Sequence, residues 1–510
     1  MKSIYKDKSL ANCPNQFNLA EYVLEKSCKN PTKSALEIVS RTGKQSVSFD
    51  ELKNRILRTG NNLIRVGLKP EDKILLRLGN TVTFPIAYLG AISVGIIPVP
   101  TSSSLTKHEL IKLIKVIEPK AIITSEPLGT NFHNTQIISE TDIEEFSFEG
   151  RKAKFKRGNP NRLAYIVFTS GTSNTPRGVQ HAHRAIWARK SMHSDWYSLT
   201  SNDRLLHAGG LNWTYTLGTG LLDPWSIGAT SIVLKDNLTI SDIPNVIKNS
   251  NATLFAAVPG VYRKLLEQNE ELEFPSLRHC FSAGEKLSQN IHDKWRKRTK
   301  KFIYEAFGMS ECSTFISTNE NIGSEIHTIG RPQRGRKVAI INKGTYKPVP
   351  IGEVGIIAIS SQDQGLMIGY HNKNAIKSNG KEWFATGDLG RMKADGFIEH
   401  LGRADDILNQ GGFRVSPKEI ENAFLDLEGL ENIVAFNLEI KKDTNVIAVI
   451  FTTEANLFEE ELRKHIEERL ADYKKPRVYI KVNTIPTVNN GKISRKKLSE
   501  TYKGMTIDYA

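Results

Sequence analysis

The stretch FTSGTSNTPRGV at 168–179 packs hydroxyl side chains, two glycines, a proline and an arginine into one short segment. Such a composition suits phosphate. A Walker-type phosphate loop needs a second glycine directly before Lys-Ser/Thr, and Pro176 and Arg177 stand there instead, followed by Gly178 and Val179. The P-loop kinase and GTPase readings are thereby excluded. What remains is a strand, AYIVF, running into a turn around Gly171. There the backbone N–H groups, with the hydroxyls of Thr169, Ser170, Thr172 and Ser173, can wrap phosphate oxygens. By itself a Ser/Thr/Gly loop is equally an ordinary surface turn.

Four further blocks follow in order: SAGEKL at 282–287, YEAFGMSE at 304–311, TGDLGRMKADGFIEHLGRADDILNQGGFRVSPKEIE at 386–421 and NGKISRKKL at 490–498. Together with the loop, usually written TSG(S/T)TGxPKG, they resemble the adenylate-forming superfamily of acyl-CoA synthetases, luciferases and peptide-synthetase adenylation domains. The resemblance spans nearly the whole chain and is nearest to the acid:CoA ligases. Two residues depart from the pattern. Asn174 replaces a glycine, and asparagine is among the few residues that tolerate positive φ. Arg177 replaces a lysine, exchanging a compact ammonium for a planar guanidinium and keeping the charge toward a pyrophosphate leaving group.

The resemblance implies two half-reactions: a carboxylate attacks the α-phosphate of ATP to give acyl-AMP and pyrophosphate, then a thiol attacks the acyl carbon and expels AMP. Bringing two anions together calls for positive charge and positioning rather than a protein nucleophile. Lys492 matches the catalytic lysine, a cation that would bridge the carboxylate and the α-phosphate. Glu311 matches the Mg2+ carboxylate, and Ser310 keeps the hydroxyl where the family usually has threonine. An alternative is that ECSTF opens a helix with Glu311 as its N-terminal acid. Asp388 and Arg403 match the residues that hold the ribose hydroxyls. Phe307 is implied to stack on adenine beside Gly284 and Glu285, with Glu305 near its amino edge. Asp405 matches a hinge about which a small C-terminal domain rotates, and Gly411 and Gly412 match a loop facing the pantetheine arm of CoA.

The elements that must position these residues read as an α/β protein. Residues 17–150 alternate helical patterns with short β-branched runs (KILLRL, GIIPVP, AIITS), which suggests parallel strands with crossover helices. After AYIVF the alternation continues through SIVL, TLFAAVP, LRHCFSAG and KFIYEAFG. Around 336–400 short strands and turns predict a β-rich subdomain. Beyond GRADDILNQGG, the runs IVAFNLEI, NVIAVIFTT and VYIKVNTIP with the amphipathic EEELRKHIEERL predict a compact α+β segment. The expected architecture is a large N-terminal domain of mixed α/β sheets at 1–404 and a small, mobile C-terminal domain at 405–510.

A chain of 510 residues exceeds what one core usually organises, in line with two domains. The apolar run FPIAYLGAISVGIIPVP at 84–100 is too short and too broken by proline and glycine for a membrane span. It predicts a buried helix feeding a buried strand. Four scattered cysteines without metal spacing argue for reduced thiols and a cytoplasmic setting. The net charge of +15 admits nucleic acid, anionic membrane or polyanionic small molecules. The basic residues are spread along the chain, with short clusters such as KWRKRTKK that fit a solvated surface, so no nucleic-acid partner is expected.

For the acid, Trp213 aligns with an aromatic bordering the acyl pocket, with Val258, Gly284 and Met309 as further liners. A hydrophobic monocarboxylate, short to medium chain or aromatic, is expected. No aspartate positioned to clamp an amino acid's ammonium group is evident after Trp213, and no carrier domain follows the lysine block, which favours free CoA. Two alternatives stay open: a stand-alone enzyme loading a carrier protein, and a nucleotide-binding homologue whose altered loop has lost catalysis.

Overall fold

The computed structural model describes residues 1–7, 9–128, 132, 135–169, 177–268, 272–323, 328–371, 382–404, 408–410, 413–441, 444–453, 457–467, 469–470, 474–487 and 493–503. Ser170, Gly171, Thr172, Ser173, Asp405, Gly411, Gly412 and Lys492 lie outside them, as does the side chain of Thr169.

Two sheets sandwich a layer of helices in the large N-terminal domain. The first is a parallel four-stranded sheet in the order Ile97–Pro100, Lys73–Arg77, Ala121–Thr124, Gln136–Ser139. The second has nine strands. Its centre runs parallel through Ser34–Ser40, Thr230–Leu234, Arg204–His207, Leu254–Ala257, His279–Ala283 and Ile303–Met309, and antiparallel strands close both edges. Helices Phe49–Arg65 and Thr83–Val94 fill the space between, packing on Ile74, Leu76 and Ile123 of one sheet and on Leu36, Ile38 and Val233 of the other. As the composition of 84–100 predicts, Thr83–Val94 is buried along its whole length. Gly95 ends it at φ +86°, a conformation glycine adopts without penalty, and the chain enters the buried strand Ile97–Pro100.

Alternation along the large sheet assigns its two faces. Leu206, Phe255, Cys280 and Ile303 pack under helices Pro259–Gln268 and Gln289–Thr299, whereas their neighbours Leu205, Leu254, Phe281 and Tyr304 pack with Trp196 and Tyr197 on the other side. The basic run 294–301 falls largely on the last turn of Gln289–Thr299, where Arg296, Lys297 and Arg298 complement the helix dipole. That gives the cluster a role within the helix itself.

Two expectations need correction. AYIVF does not continue the parallel alternation: Leu163–Thr169 pairs antiparallel with Arg177–Ala182 in a separate three-stranded sheet completed by Gly369–Tyr370. ECSTF opens no helix; Ser313–Ser317 is a strand antiparallel to Ile303–Met309, so Glu311 sits in the turn between them. The β-rich subdomain is a five-stranded antiparallel sheet whose edge strand is Ile4–Lys6, from the far end of the chain. Residues from 408 onward build their own cores around a three-stranded sheet of Leu430–Lys441, Thr444–Thr453 and Val478–Lys481, forming the small C-terminal domain. No helix among the described residues is long and apolar enough to cross a membrane.

Four histidines, His181, His183, His207 and His279, are buried in the N-terminal domain. Burial pushes His181 down to about 4, His183 to about 3 and His207 to about 3. The unfolded chain takes up these protons below roughly pH 6.5 and the folded chain does not. Stability is therefore fully present above that pH and drains away as pH falls toward about 4. The thermal midpoint should fall steadily over this window. His183→Asn, which keeps an acceptor for the Leu19 N–H bonded to His183 Nδ1 at 3.1 Å but cannot titrate, should make the fall shallower. A midpoint indifferent to pH across the window would contradict this account.

Candidate active site

A cleft of about 610 Å3 opens between the two domains. From the large domain it is lined by Gly284, Glu285 and Glu305 at the ends of two parallel strands, where an open α/β sheet places its ligands, and by Asp388 and Arg403. From the small domain come Lys418, Glu421, Ile493 and Arg495. A larger cavity of about 930 Å3, between the β-rich sheet and the small domain, contains none of the predicted site residues.

Asp388 and Arg403 face each other across the hairpin of Trp383–Met392 and Ile398–Arg403. Arg403 Nη1 donates to Asp388 Oδ2 at 3.0 Å, and His400 Nε2 lies 3.0 Å from Oδ1. The carboxylate is buried to 8% exposure yet lines the cleft. His400 also reaches Phe307, with ring centroids 5.4 Å apart, so the predicted adenine group adjoins the predicted ribose group although Phe307 does not itself line the cleft.

Phe307 and Met309 lie on Ile303–Met309, which bulges between Phe307 and Gly308. A Cβ at Gly308 would stand 2.3 Å from the backbone oxygen of Ser313, so only glycine lets the strands approach there. Past the bulge Met309 still pairs with Ser313, Ser310 and Glu311 form the turn that follows, and all three are half-buried. His181 Nε2 is 2.8 Å from the carbonyl of Ser310, and Tyr370 donates to Glu311 Oε1 at 2.7 Å. Arg177 is exposed, lies opposite Thr169 in register, and stands 5.9 Å from the centre of the Tyr370 ring. The ends of the predicted phosphate loop thus arrive beside Glu311.

Glu305, which lines the cleft, has three partners in the large domain. The Leu287 N–H donates to Oε1 at 2.8 Å, His292 Nε2 is 3.1 Å from Oε2, and Lys286 Nζ is 3.8 Å away. Burial pushes its carboxyl up, but Lys286, His292 and the Leu287 N–H outweigh that and hold it below its ordinary value. It stays ionised and fixes the 284–287 loop. Gly284 adopts φ +95° there, while a Cβ would meet nothing nearer than Val258 Cγ1 at 3.9 Å, so the backbone angle and not space demands glycine.

In the small domain, Glu421 is buried between Arg495 Nη2 at 2.6 Å and Lys418 Nζ at 2.7 Å. Burial raises its carboxyl, and the two cations more than offset this. The ion pair pins Ile493–Arg495, which directly follow Lys492 in sequence, on the cleft side of that domain. Trp213 and Val258 are half-buried, so neither is consumed by the core. Sequence reasoning missed His400, Tyr370, His181, Lys286 and His292. His400 alone carried a signal, since the hairpin register puts it on the strand opposite Asp388.

Comparison with known proteins agrees with this geometry. Residues 24–371 match the AMP-binding enzyme family, and residues 419–492 match the AMP-binding enzyme C-terminal domain. The chain is 26% identical to the human mitochondrial acyl-coenzyme A synthetase ACSM3, covering 95% of this chain and 89% of that protein. It is 28% identical to a 4-hydroxybenzoate–CoA/benzoate–CoA ligase of Rhodopseudomonas palustris, covering 90% of each. Among solved structures it is similar to a benzoate CoA ligase from Burkholderia xenovorans, with a TM-score of 0.84 and 26% identity over 95% of this chain and all of that one. On a match that spans about two thirds of its length, the chain belongs to the AMP-binding enzyme family.

Proposed function

We propose that the chain is an AMP-forming carboxylic acid:CoA ligase, activating a hydrophobic monocarboxylate with ATP and passing the acyl group to CoA. The observation that carries this is the Asp388 carboxylate, held in place by Arg403 and His400 on the wall of a cleft that both domains share. A carboxylate so placed accepts from two vicinal ribose hydroxyls. Phe307 beside it offers a ring face to the base, and the 284–287 loop offers backbone groups.

The α-phosphate then falls toward Ser310, with Arg177 drawing the pyrophosphate away and Lys492 bridging the incoming carboxylate and the phosphate as the bond forms. Arg495 and Ile493 on the cleft wall support Lys492 in that role. Glu311 suits Mg2+: among the described residues Tyr370 bonds to one of its oxygens, and one carboxylate plus phosphate oxygens is a donor set this cation takes. When bound, Mg2+ would neutralise phosphate charge.

The second half-reaction needs room for a thiol, which rotation of the segment from 405 onward about Asp405 would supply, bringing Gly411 and Gly412 to the pantetheine arm. The separate cores of the two domains support a boundary there. Trp213, Val258 and Met309 line the acyl side, and the half-exposure of all three leaves apolar surface for a substrate. The free thiols Cys13, Cys280 and Cys312 fit a reducing, cytoplasmic setting.

Acid-dependent exchange of pyrophosphate into ATP, across aliphatic and aryl acids, should reveal at least one substrate. Lys492→Ala should cut that exchange by about 100-fold or more. Adding CoA to the best acid should release AMP; exchange without CoA-dependent AMP release would favour a carrier protein as acceptor. ATP binding without exchange for any acid would leave the impaired homologue. In a second test, Asp388→Asn should lower kcat/KM for ATP by about 10–100-fold through the lost charged hydrogen bonds, with KM for the acid little changed. An unchanged ATP dependence would remove the ribose role.

A further inference from the structure

Behind Ser310 lies a buried cavity of about 30 Å3, bounded also by His181, Arg189, Thr214, Gly218 and Ser313. Thr214 and Ser310 in its wall are the chain neighbours of Trp213 and Met309, which puts it next to the acyl side proposed above. Most of its wall is apolar, from Leu19, Ala185, Ile186, Leu217 and Leu222, and a few polar side chains interrupt it. Arg189 is buried against Asp223, with Nε to Oδ1 at 2.8 Å and Nη2 to Oδ2 at 2.5 Å, and Tyr197 donates to the same carboxylate at 2.8 Å. The glycine at 218, in the π-turn Thr216–Leu222, exists for this arginine: a Cβ there would meet the guanidinium at 2.5 Å.

Two of the residues that line this space carry unmatched hydrogen-bonding groups. His181 Nε2 must donate to the Ser310 carbonyl, since a carbonyl only accepts, which leaves Nδ1 as a bare acceptor. That Nδ1 is buried and has no partner among the described residues. Ser313 Oγ accepts from Arg189 Nη1, so its own proton remains to be donated. Ser313 is also held at φ +64°, a costly angle for a residue with a side chain, so the fold sustains strain to present it.

We infer that the acid activated here carries a hydroxyl group at the end of its hydrophobic body, donating to His181 Nδ1 and accepting from Ser313. This inference rests on the ligase reading above and narrows its substrate class. A hydroxyl is the group that fits both demands. A carbonyl cannot donate, an apolar end leaves Nδ1 unpaired, and a second carboxylate finds Arg189 already neutralised by Asp223.

The test measures kcat/KM for AMP formation by the full chain on acids matched except for one hydroxyl: 3- and 4-hydroxybenzoate against benzoate, and 6-hydroxyhexanoate against hexanoate. At least one hydroxy acid should exceed its parent by about 100-fold, because a site built to bond a hydroxyl rejects the analogue lacking it. Ser313→Gly, which relieves the backbone angle while deleting the hydroxyl, should bring that ratio down to within a few-fold of one. Thermal unfolding of the variant checks that it is folded. Parents and hydroxy acids used equally well, or a preference undiminished in Ser313→Gly, would overturn the inference and make the cavity the seat of a water only. Failure of every acid to form AMP would instead overturn the ligase reading, and this inference with it.

Discussion

A charge kept in a protein wall needs partners, and the partners of Asp388 organise this site. Its carboxylate ties together the two strands of the subdomain hairpin through Arg403, and it orients His400, which in turn lies against Phe307 on a different sheet. One side chain thereby sets the distance between the surface that can take a sugar and the surface that can take a base. Arg403 is the last residue but one before the small domain's chain segment begins, so the same contact also anchors the point from which that domain departs.

The same logic recurs around the cleft. Glu305 and Glu421 are both buried, and each is kept ionised by cations and N–H groups that it simultaneously positions: the 284–287 loop for the first, the Ile493–Arg495 segment for the second. Leaving such a carboxylate without its partner is costly, whereas the intact pair contributes little net stability. These pairs are therefore better understood as devices that hold shape than as sources of stability. The buried Arg189–Asp223 pair follows the same logic inside the large domain, each charge held by the other.

Much of this was legible in the order of residues, for physical reasons. Hydrophobic periodicity marks Thr83–Val94 as a buried helix and the 354–403 runs as strands, because local pattern decides both. The five blocks carry the cleft because they lie at strand ends and turns, where backbone geometry restricts residue type, as at Gly308 and Gly284. What sequence conceals is pairing at a distance. Nothing local tells that Ile4–Lys6 completes a sheet with Lys337–Ile341, or that Leu163–Thr169 leaves the parallel run to join Gly369–Tyr370's sheet. Likewise nothing local tells that Lys286 and His292 close on Glu305. Arg189 and Asp223 lie 34 positions apart, too far for any helical or strand spacing to link them.

The central claim is that the acid's own oxygen attacks the α-phosphorus in this cleft. The most direct measurement is mass spectrometry of the AMP formed from an 18O-labelled carboxylate, using whichever acid supports pyrophosphate exchange. The account predicts one 18O in the phosphoryl group of AMP, because the thiol expels AMP with the bridging oxygen still attached to phosphorus. AMP free of label, or label recovered in inorganic phosphate alongside ADP, would contradict it.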